Sequence, residues 1–567
     1  MRRVAFRFVA CAALIGVVSG AVRAQTFVND DPVLKKIWDI GMNQSKTMDF
    51  AQVLFDSIGP RLYASPAAKA SNDWIIKTYA SFGVTAKQEP YGVWRGWDRG
   101  YTHMDLVKPR VRTLEALMLP WSPGTGGKDV VGPTILVPVL PDSAAFNAWL
   151  PNVKGKFVLM SAPKSSCRPH SEWVDVAPPE EVARLDSTNA ALAAAFGERY
   201  GMGRGAARGG GAGGLSVNDR LEMAGAVGII TTSAVDGWGT YTVAQTRNRV
   251  APAITMDCED YGLLFRLTEK NQGPVIRLNA ESKKLGNVPV YNTIATVPGK
   301  EKPNEYVMLS SHFDSWDAAS GATDNGTGTV VMLEAMRILR QAYPNPKRTI
   351  ISGHWVGEEE GLIGSQAYTA DHPDIVKNLH ALFNQDNGTG RIQSTSGAGM
   401  VAGAFHLQQW LSQLPREFQE QIRYSGVGGP ARGGTDHASF DCYGSPAFGL
   451  SSVSWDYNPY THHTNRDTYD KIAFDEVKGN ATIVAMLVYL ASEDPTFVSH
   501  ERRNLNLPDP TAVARGGGGA GGGGGGRGGR GAPARGGGGR AAAPTDAMGW
   551  DLSCPKGPRA SPDSARH

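Results

Sequence analysis

The sequence predicts an α/β protein built on a mostly parallel, twisted sheet flanked by helices. Three observations predict it. Apolar strand-like runs alternate with a helical run between Tyr306 and Asn384, a pattern that lays helices over the faces of a parallel sheet. Each of those runs feeds a turn that carries a histidine or a carboxylate, as in Ser311-His312-Phe313-Asp314-Ser315-Trp316 and Gly357-Glu358-Glu359-Glu360-Gly361. With 567 residues, 41% of them hydrophobic, the chain can bury a large core and support more than one domain.

The N-terminus is basic at Met1-Arg2-Arg3 and Arg7, then apolar from about Phe8 to Val18, and it reaches Val22-Arg23-Ala24 before Gln25. That order predicts a secretory signal peptide over residues 1–24 with cleavage after Ala24, and hence a secreted or periplasmic protein. The apolar run is short for a spanning helix. Residues 25–102 then open the main domain. They carry helical signals from Val33, including Trp38 to Met48, and an apolar face through Trp74, Ile75, Tyr79 and Phe82 that stops at Gly83. A strand is expected near Val84 to Glu89.

Residues 103–286 have a different texture, with short strands expected at Thr134–Val139, Lys156–Met160 and Gly228–Thr232. The Gly/Arg/Ala run from Gly201 to Gly214 inside this segment cannot pack a core and is expected to be a loop. The main domain resumes over residues 287–500. Strands are expected at Tyr306–Ser310, at Arg348–Val356 and at Ala381–Asn384, with a helix over Val330–Leu339. Residues 501–567 hold a Gly-rich tail with scattered Arg from about Ala514 to Arg540, expected to be disordered.

A net charge of +3 offers no argument for nucleic acid, and part of the basic excess lies in that tail. Cys11 would leave with the signal peptide. Cys167, Cys258, Cys442 and Cys554 remain, and four cysteines allow three connectivities. None of them has the spacing of a zinc knuckle.

The chemistry concentrates in five phrases. His312 ends the first strand; Asp324 lies in Gly321-Ala322-Thr323-Asp324-Asn325-Gly326; Glu358 and Glu359 follow Gly357; Asp386 follows the third strand; His462 and His463 lie in Tyr460-Thr461-His462-His463-Thr464. Neutral imidazole and carboxylate oxygen are the donors that suit a divalent zinc ion. Taken singly, each is ordinary: a histidine ending a strand is commonly a core residue, and a run of Glu is commonly a solvated helix start. Five protein ligands exceed what one catalytic zinc takes, and they fit two ions sharing a carboxylate, with a spare Glu to carry a proton.

The ordered set His-x-Asp-Ser, Gly-Ala-x-Asp-Asn, Glu-Glu-x-Gly-Leu-x-Gly-Ser, Asp and His-Thr-x-x-Asp-Thr resembles the M28 family of co-catalytic zinc peptidases. The phrase His312-Phe313-Asp314-Ser315-Trp316-Asp317 resembles in particular its branch containing plasma glutamate carboxypeptidase (carboxypeptidase Q). The resemblance runs from about Val33 to about Glu493 and implies the zinc exopeptidase fold. It implies that Asp324 bridges two Zn2+ ions, with His312 and Asp386 on one and Glu359 and His463 on the other. It further implies Glu358 as general base, the Asp314 carboxylate accepting the remaining N–H of His312 and so fixing its tautomer, and a cis peptide bond between Asp324 and Asn325. The choice of His463 over His462 rests on the His-Thr-x-x-Asp-Thr register alone. Asp436 and His437 are candidates for substrate contact or for support of the ligands, with simple loop packing as the alternative; His354 reads as a core strand residue, and Glu360 receives no role.

Within residues 103–286, Val153-Lys154-Gly155-Lys156-Phe157-Val158-Leu159 and the later Arg220-Leu221-Glu222-Met223-Ala224-Gly225-Ala226-Val227-Gly228 resemble a β-rich protease-associated domain inserted into the main fold. The function expected is that of an exported zinc-dependent exopeptidase acting on short peptides or dipeptides as aminopeptidase, carboxypeptidase or dipeptidase. Two alternatives stay open, a one-zinc transferase like the glutaminyl cyclases and a non-catalytic binding or receptor domain. The expected partner is a peptide, with a homodimer left open, no nucleic acid, and no membrane span once the signal peptide is removed.

Overall fold

The computed structural model describes residues 27–199, 216–235, 237–431 and 433–508, together with 511 and 548. The expected signal peptide, the 201–214 loop and the Gly/Arg tail from 514 to 540 lie outside the described residues.

The strand Lys302–His312 is the hinge of the site. It pairs in parallel with Arg348–Trp355 on one side and with Leu379–Asn384 on the other, and the latter pairs in parallel with Ala447–Gly449. All eight residues of Arg348–Trp355 and all six of Leu379–Asn384 are buried. Strands covered on both faces lose the in-out alternation and read as apolar runs, which is why the sequence marks them so clearly. The helix Thr327–Ala342 is buried almost all round and packs with the long helix Phe474–Glu493 against the sheet. The helix Pro66–Ser81 is capped by Ser65 Oγ accepting from the Ala68 amide and ends before Gly83 at φ +71, as the sequence predicts. The expected helix at Trp38 to Met48 is interrupted, because the first helix ends at Trp38, a wider turn follows to Asn43, and a new helix starts at Thr47.

Beyond Arg348–Trp355 the sheet turns antiparallel. Two long strands, Thr85–Lys108 and Val275–Val297, pair along nearly their whole length, from Thr85 opposite Thr296 to Lys108 opposite Val275. Near Thr293 to Val297 the second of them joins Arg348–Trp355, and near Val275 to Leu278 it joins Val130–Ile135. The expected segment boundaries at residues 103 and 286 therefore fall inside continuous strands rather than at linkers. From Val130–Ile135 the ladder continues through Phe157–Leu159, Gly228–Thr232 and Ala253–Met256 in parallel, then antiparallel to Ala116–Met118. This outer layer also holds helices, among them Pro179–Arg199 and Cys258–Glu269. The strand expected at Thr134–Val139 ends at Ile135, ahead of Pro138, which has no N–H for a ladder.

A disulfide joins Cys167 to Cys258 across this segment, one of the pairings the sequence left open.

Candidate metal centre

The site forms where three parallel strands end. His312 is the last residue of its strand, Glu358 follows Trp355 by three residues, and Asp386 follows Asn384 by two. Open α/β sheets collect ligands at their carboxyl edge for this reason. Asp324 arrives on the turn that enters the helix Thr327–Ala342, and the peptide bond between Asp324 and Asn325 is cis, as the family resemblance implies. Gly321 opens this turn at φ +60, and a Cβ there would collide with the Ser315 side chain.

Asp324 sits between the two histidines. Its Oδ1 is 3.4 Å from His312 Nε2, and its Oδ2 is 3.2 Å from His463 Nε2. Asp386 Oδ1 approaches His312 Nε2 at 3.1 Å on the first side, and Glu359 Oε2 approaches His463 Nε2 at 2.9 Å on the second. The potential donor atoms of His312, Asp324 and Asp386 lie within 4.8 Å of one another, as do those of Asp324, His462 and His463. Asp324 thus belongs to both groups. His462 stacks on His463 with centroids 3.8 Å apart, but its Nε2 is 3.8 Å from Asp324 Oδ2, farther than that of His463.

Asp314 supports the site by a different route from the one expected. Its backbone carbonyl meets His312 Nδ1 at 3.1 Å, while its carboxylate lies 3.8 Å from that nitrogen. The carboxylate instead accepts the backbone amides of Glu358 at 3.3 Å and Glu359 at 3.4 Å. One residue therefore orients the histidine with its carbonyl and the two glutamates with its side chain.

The electrostatics follow from packing so many carboxylates together. Burial raises the pKa of Glu358 well above its ordinary value, and Asp386, Asp436 and Glu359 raise it further against the opposing pull of His312. Burial likewise takes Glu359 to about 7, with Asp324 adding to the shift. Although burial opposes charge on His312, Asp386 and Glu358 hold its pKa well above the usual range. Burial opposes charge on His463 too, yet Asp324 and Glu359 bring its pKa to about 10. Asp436 is fully buried, its pKa taken to about 7 by burial, within the field of His312 and Asp386. His437 lies beside it and against Gly449, with burial lowering its pKa to about 4. His354 lies in the core, where Tyr79 Oη meets its Nε2 at 2.6 Å, so it stands apart from the ligand set as expected.

Two positioning residues escaped the sequence reading. Asp467 accepts the amide of Thr323 at 2.6 Å and that of Asp324 at 3.0 Å, fixing the loop that carries the shared carboxylate. The signal was present as the Asp of His-Thr-x-x-Asp-Thr. Arg61 is fully buried and donates to the carbonyls of Phe313 at 2.7 Å, Ser320 at 2.8 Å and Gly321 at 2.8 Å. Its only sequence signal is a Gly-Pro before a charged residue between apolar runs.

Whether a metal fits can be tested on the residues themselves. Asp324, Glu359 and Asp386 are carboxylates with side chains no more than 7% exposed, and Glu359 Oε1 is buried with no hydrogen bond. Arg61, the buried cation near them, spends its N–H groups on backbone carbonyls. Such a cluster calls for compensating positive charge, which the protonated imidazoles of His312 and His463 supply in the metal-free chain; with those protons displaced, the imidazole and carboxylate donors suit zinc.

Residues 292–488 match the model of peptidase family M28. The chain is 22% identical to carboxypeptidase Q of Bos taurus over 80% of its own length and 86% of that protein. It is 27% identical to carboxypeptidase Q of Xenopus laevis over 63% and 69% of the two chains. Among solved structures, a peptidase M28 precursor from Shewanella amazonensis shares the fold with a TM-score of 0.59 and 22% identity, covering 82% of this chain and 97% of that one. A zinc aminopeptidase from Bacillus subtilis shares it at 0.51 and 18% identity, covering 80% and 96%. The family match covers the strands and loops on which the buried ligand cluster is built, and with the likeness to carboxypeptidase Q over most of the chain it marks this chain as a metallopeptidase similar to peptidase family M28.

Proposed function

We propose that this chain is an exported exopeptidase that hydrolyses short peptides or dipeptides with two zinc ions and a glutamate general base. The observation that carries this reading is the sharing of Asp324, whose two oxygens face different histidines, each histidine paired with a further carboxylate. His312 and Asp386 would hold one ion, Glu359 and His463 the other, and Asp324 both. Bound zinc would supply Lewis-acid polarisation of the scissile carbonyl and ease ionisation of the attacking water.

The chain's own residues supply the proton traffic. Glu358 takes the proton from the water as its oxygen bonds to the carbonyl carbon, then delivers it to the amine nitrogen as the C–N bond breaks. Asp314 holds the glutamates in place through their amides. Asp436 raises the proton affinity of Glu358, and it and His437 are proposed as substrate contacts or supports of the ligands. The relatives include carboxypeptidases and, at 30% identity over 35% of this chain, leucine aminopeptidase 1 of Coccidioides posadasii, so their names span both peptide termini. Export rests on the N-terminal sequence; among the described residues no helix is long and apolar enough to cross a membrane. The outer segment is read as a protease-associated-like insertion that walls the cleft.

Metal analysis of the purified mature chain, combined with digestion of a mixed dipeptide and tripeptide library read by mass, tests the proposal. The expected result is two zinc ions per chain and removal of single terminal residues. One zinc with cyclised products, or two zinc with no hydrolysis, would overturn it.

A further inference from the structure

His463 adopts φ +60, the left-handed region that a side chain with a Cβ rarely occupies. Such a conformation persists where neighbours over-determine it. Here the neighbours come from the outer segment, more than 200 residues earlier in the chain. The His463 carbonyl accepts the amide of Val243 at 3.0 Å. The Asn465 amide donates to the Tyr241 carbonyl at 3.2 Å, and the Asn465 side chain closes a ring by accepting the Tyr241 amide at 3.1 Å and donating to the Gly239 carbonyl at 2.9 Å. Arg466 adds a bond from Nη2 to the same Gly239 carbonyl at 2.8 Å. The imidazole itself stacks on His462 at 3.8 Å between centroids and has an edge-on Trp316 ring at 6.0 Å, besides the carboxylates of Asp324 and Glu359.

We infer that the strap 239–243 of the outer segment is a positioning element for the His463 side of the centre, with Asn465 as its clasp. The inference rests on the two-zinc reading above. Asn465 touches neither carboxylate; it holds the backbone that aims the imidazole. The outer segment is then a working part of one metal position and not of the other, since His312 and Asp386 are held by the main sheet. Removing the clasp frees His463 to leave the left-handed conformation, and zinc is lost from that side alone.

The test is competitive zinc titration, against a chromophoric chelator, of the full mature chain and of Asn465→Ala, Arg466→Ala, His463→Ala and the Asn465→Ala/His463→Ala pair. The parent should bind two equivalents. Asn465→Ala should weaken one of them about 10- to 100-fold, the range seen when groups that orient a ligand are removed, and leave the other unchanged. Arg466→Ala, which deletes a single bond, should weaken the same equivalent by less and serves if Asn465→Ala does not fold. In the His463→Ala background, Asn465→Ala should cause no further loss. Unchanged binding by both single variants, equal weakening of both equivalents, or further loss in that background overturns the inference. A parent holding fewer than two equivalents overturns the zinc reading and the inference with it.

Discussion

Asp467 Oδ2 accepts the backbone N–H of Asp324 at 3.0 Å, joining the turn after the first strand to the loop that carries His463. Its other oxygen takes the amide of Thr323 at 2.6 Å. The carboxylate that faces both histidines is therefore aimed by a second carboxylate behind it. Asp467→Ala would leave two buried amides without acceptors, at about 1–3 kcal/mol each. The expected outcome is a clear fall in the unfolding midpoint together with loss of both zinc ions, read by denaturant titration and metal analysis. Retention of both ions would show that the turn holds Asp324 without Asp467.

Glu358→Gln should keep the metal and lose turnover. Gln preserves the shape, and the Glu358 backbone amide still reaches Asp314. It cannot accept the proton from water, so kcat should fall at least about 10²-fold. A variant with unchanged metal content and near-parental kcat would remove Glu358 from the base role.

How much of this was readable in advance follows from where each group lies in the chain. His312, Glu358, Glu359 and Asp386 were legible because each lies within four residues of the end of an apolar strand run, and a sheet edge gathers such positions without further information. The central strands were legible for the same reason. Arg61 was not, since its partners Phe313, Ser320 and Gly321 lie more than 250 residues away and no local pattern marks a side chain that serves distant carbonyls. The strands Thr85–Lys108 and Val275–Val297 were also not legible as one pair, because they run through two layers and change burial pattern on the way. For Asp314 the sequence pointed to the residue but not to the atom, since a side chain and its own carbonyl compete for one imidazole nitrogen.

The adjacent histidines separate by geometry. His463 Nε2 reaches Asp324 at 3.2 Å and Glu359 at 2.9 Å, whereas His462 Nε2 lies 3.8 Å from Asp324. His463→Ala is expected to cost one zinc equivalent, and His462→Ala to leave both while altering KM, since its ring is the more exposed of the two. Metal analysis that shows the reverse would exchange their roles.

Zinc affinity should rise with pH. In the metal-free chain His463 keeps its proton up to about pH 10, because Asp324 and Glu359 outweigh the effect of burial. A protonated imidazole cannot ligate, so binding below that pH must release the proton. Each such proton makes affinity fall about tenfold for every unit that pH drops below the pKa. Titrations between pH 6 and pH 9, with proton release followed in weakly buffered solution, should show this slope on the His463 side. A flat affinity over that range would mean that His463 is not displaced from a proton on binding, and hence is not a ligand.

Arg61 should resist even a conservative replacement. Its guanidinium reaches three carbonyls of the two turns that frame the site, from Nε to Phe313, from Nη1 to Ser320 and from Nη2 to Gly321. Burial lowers its pKa to about 10, so it stays charged at neutral pH, helped by Asp467 and Asp314 nearby. Lysine would keep the charge but has one nitrogen where arginine presents a planar fork. Arg61→Lys would leave about two carbonyls unpaired in the interior, a cost of about 2–5 kcal/mol. The expected outcome is a lowered unfolding midpoint with zinc affinity reduced at both positions, because the Phe313 and Gly321 turns deliver His312 and Asp324. Arg61→Met, which removes the charge as well, should be worse than Arg61→Lys. If Met and Lys cost the same, the hydrogen bonds alone account for the residue, and its charge does nothing for the carboxylates around it.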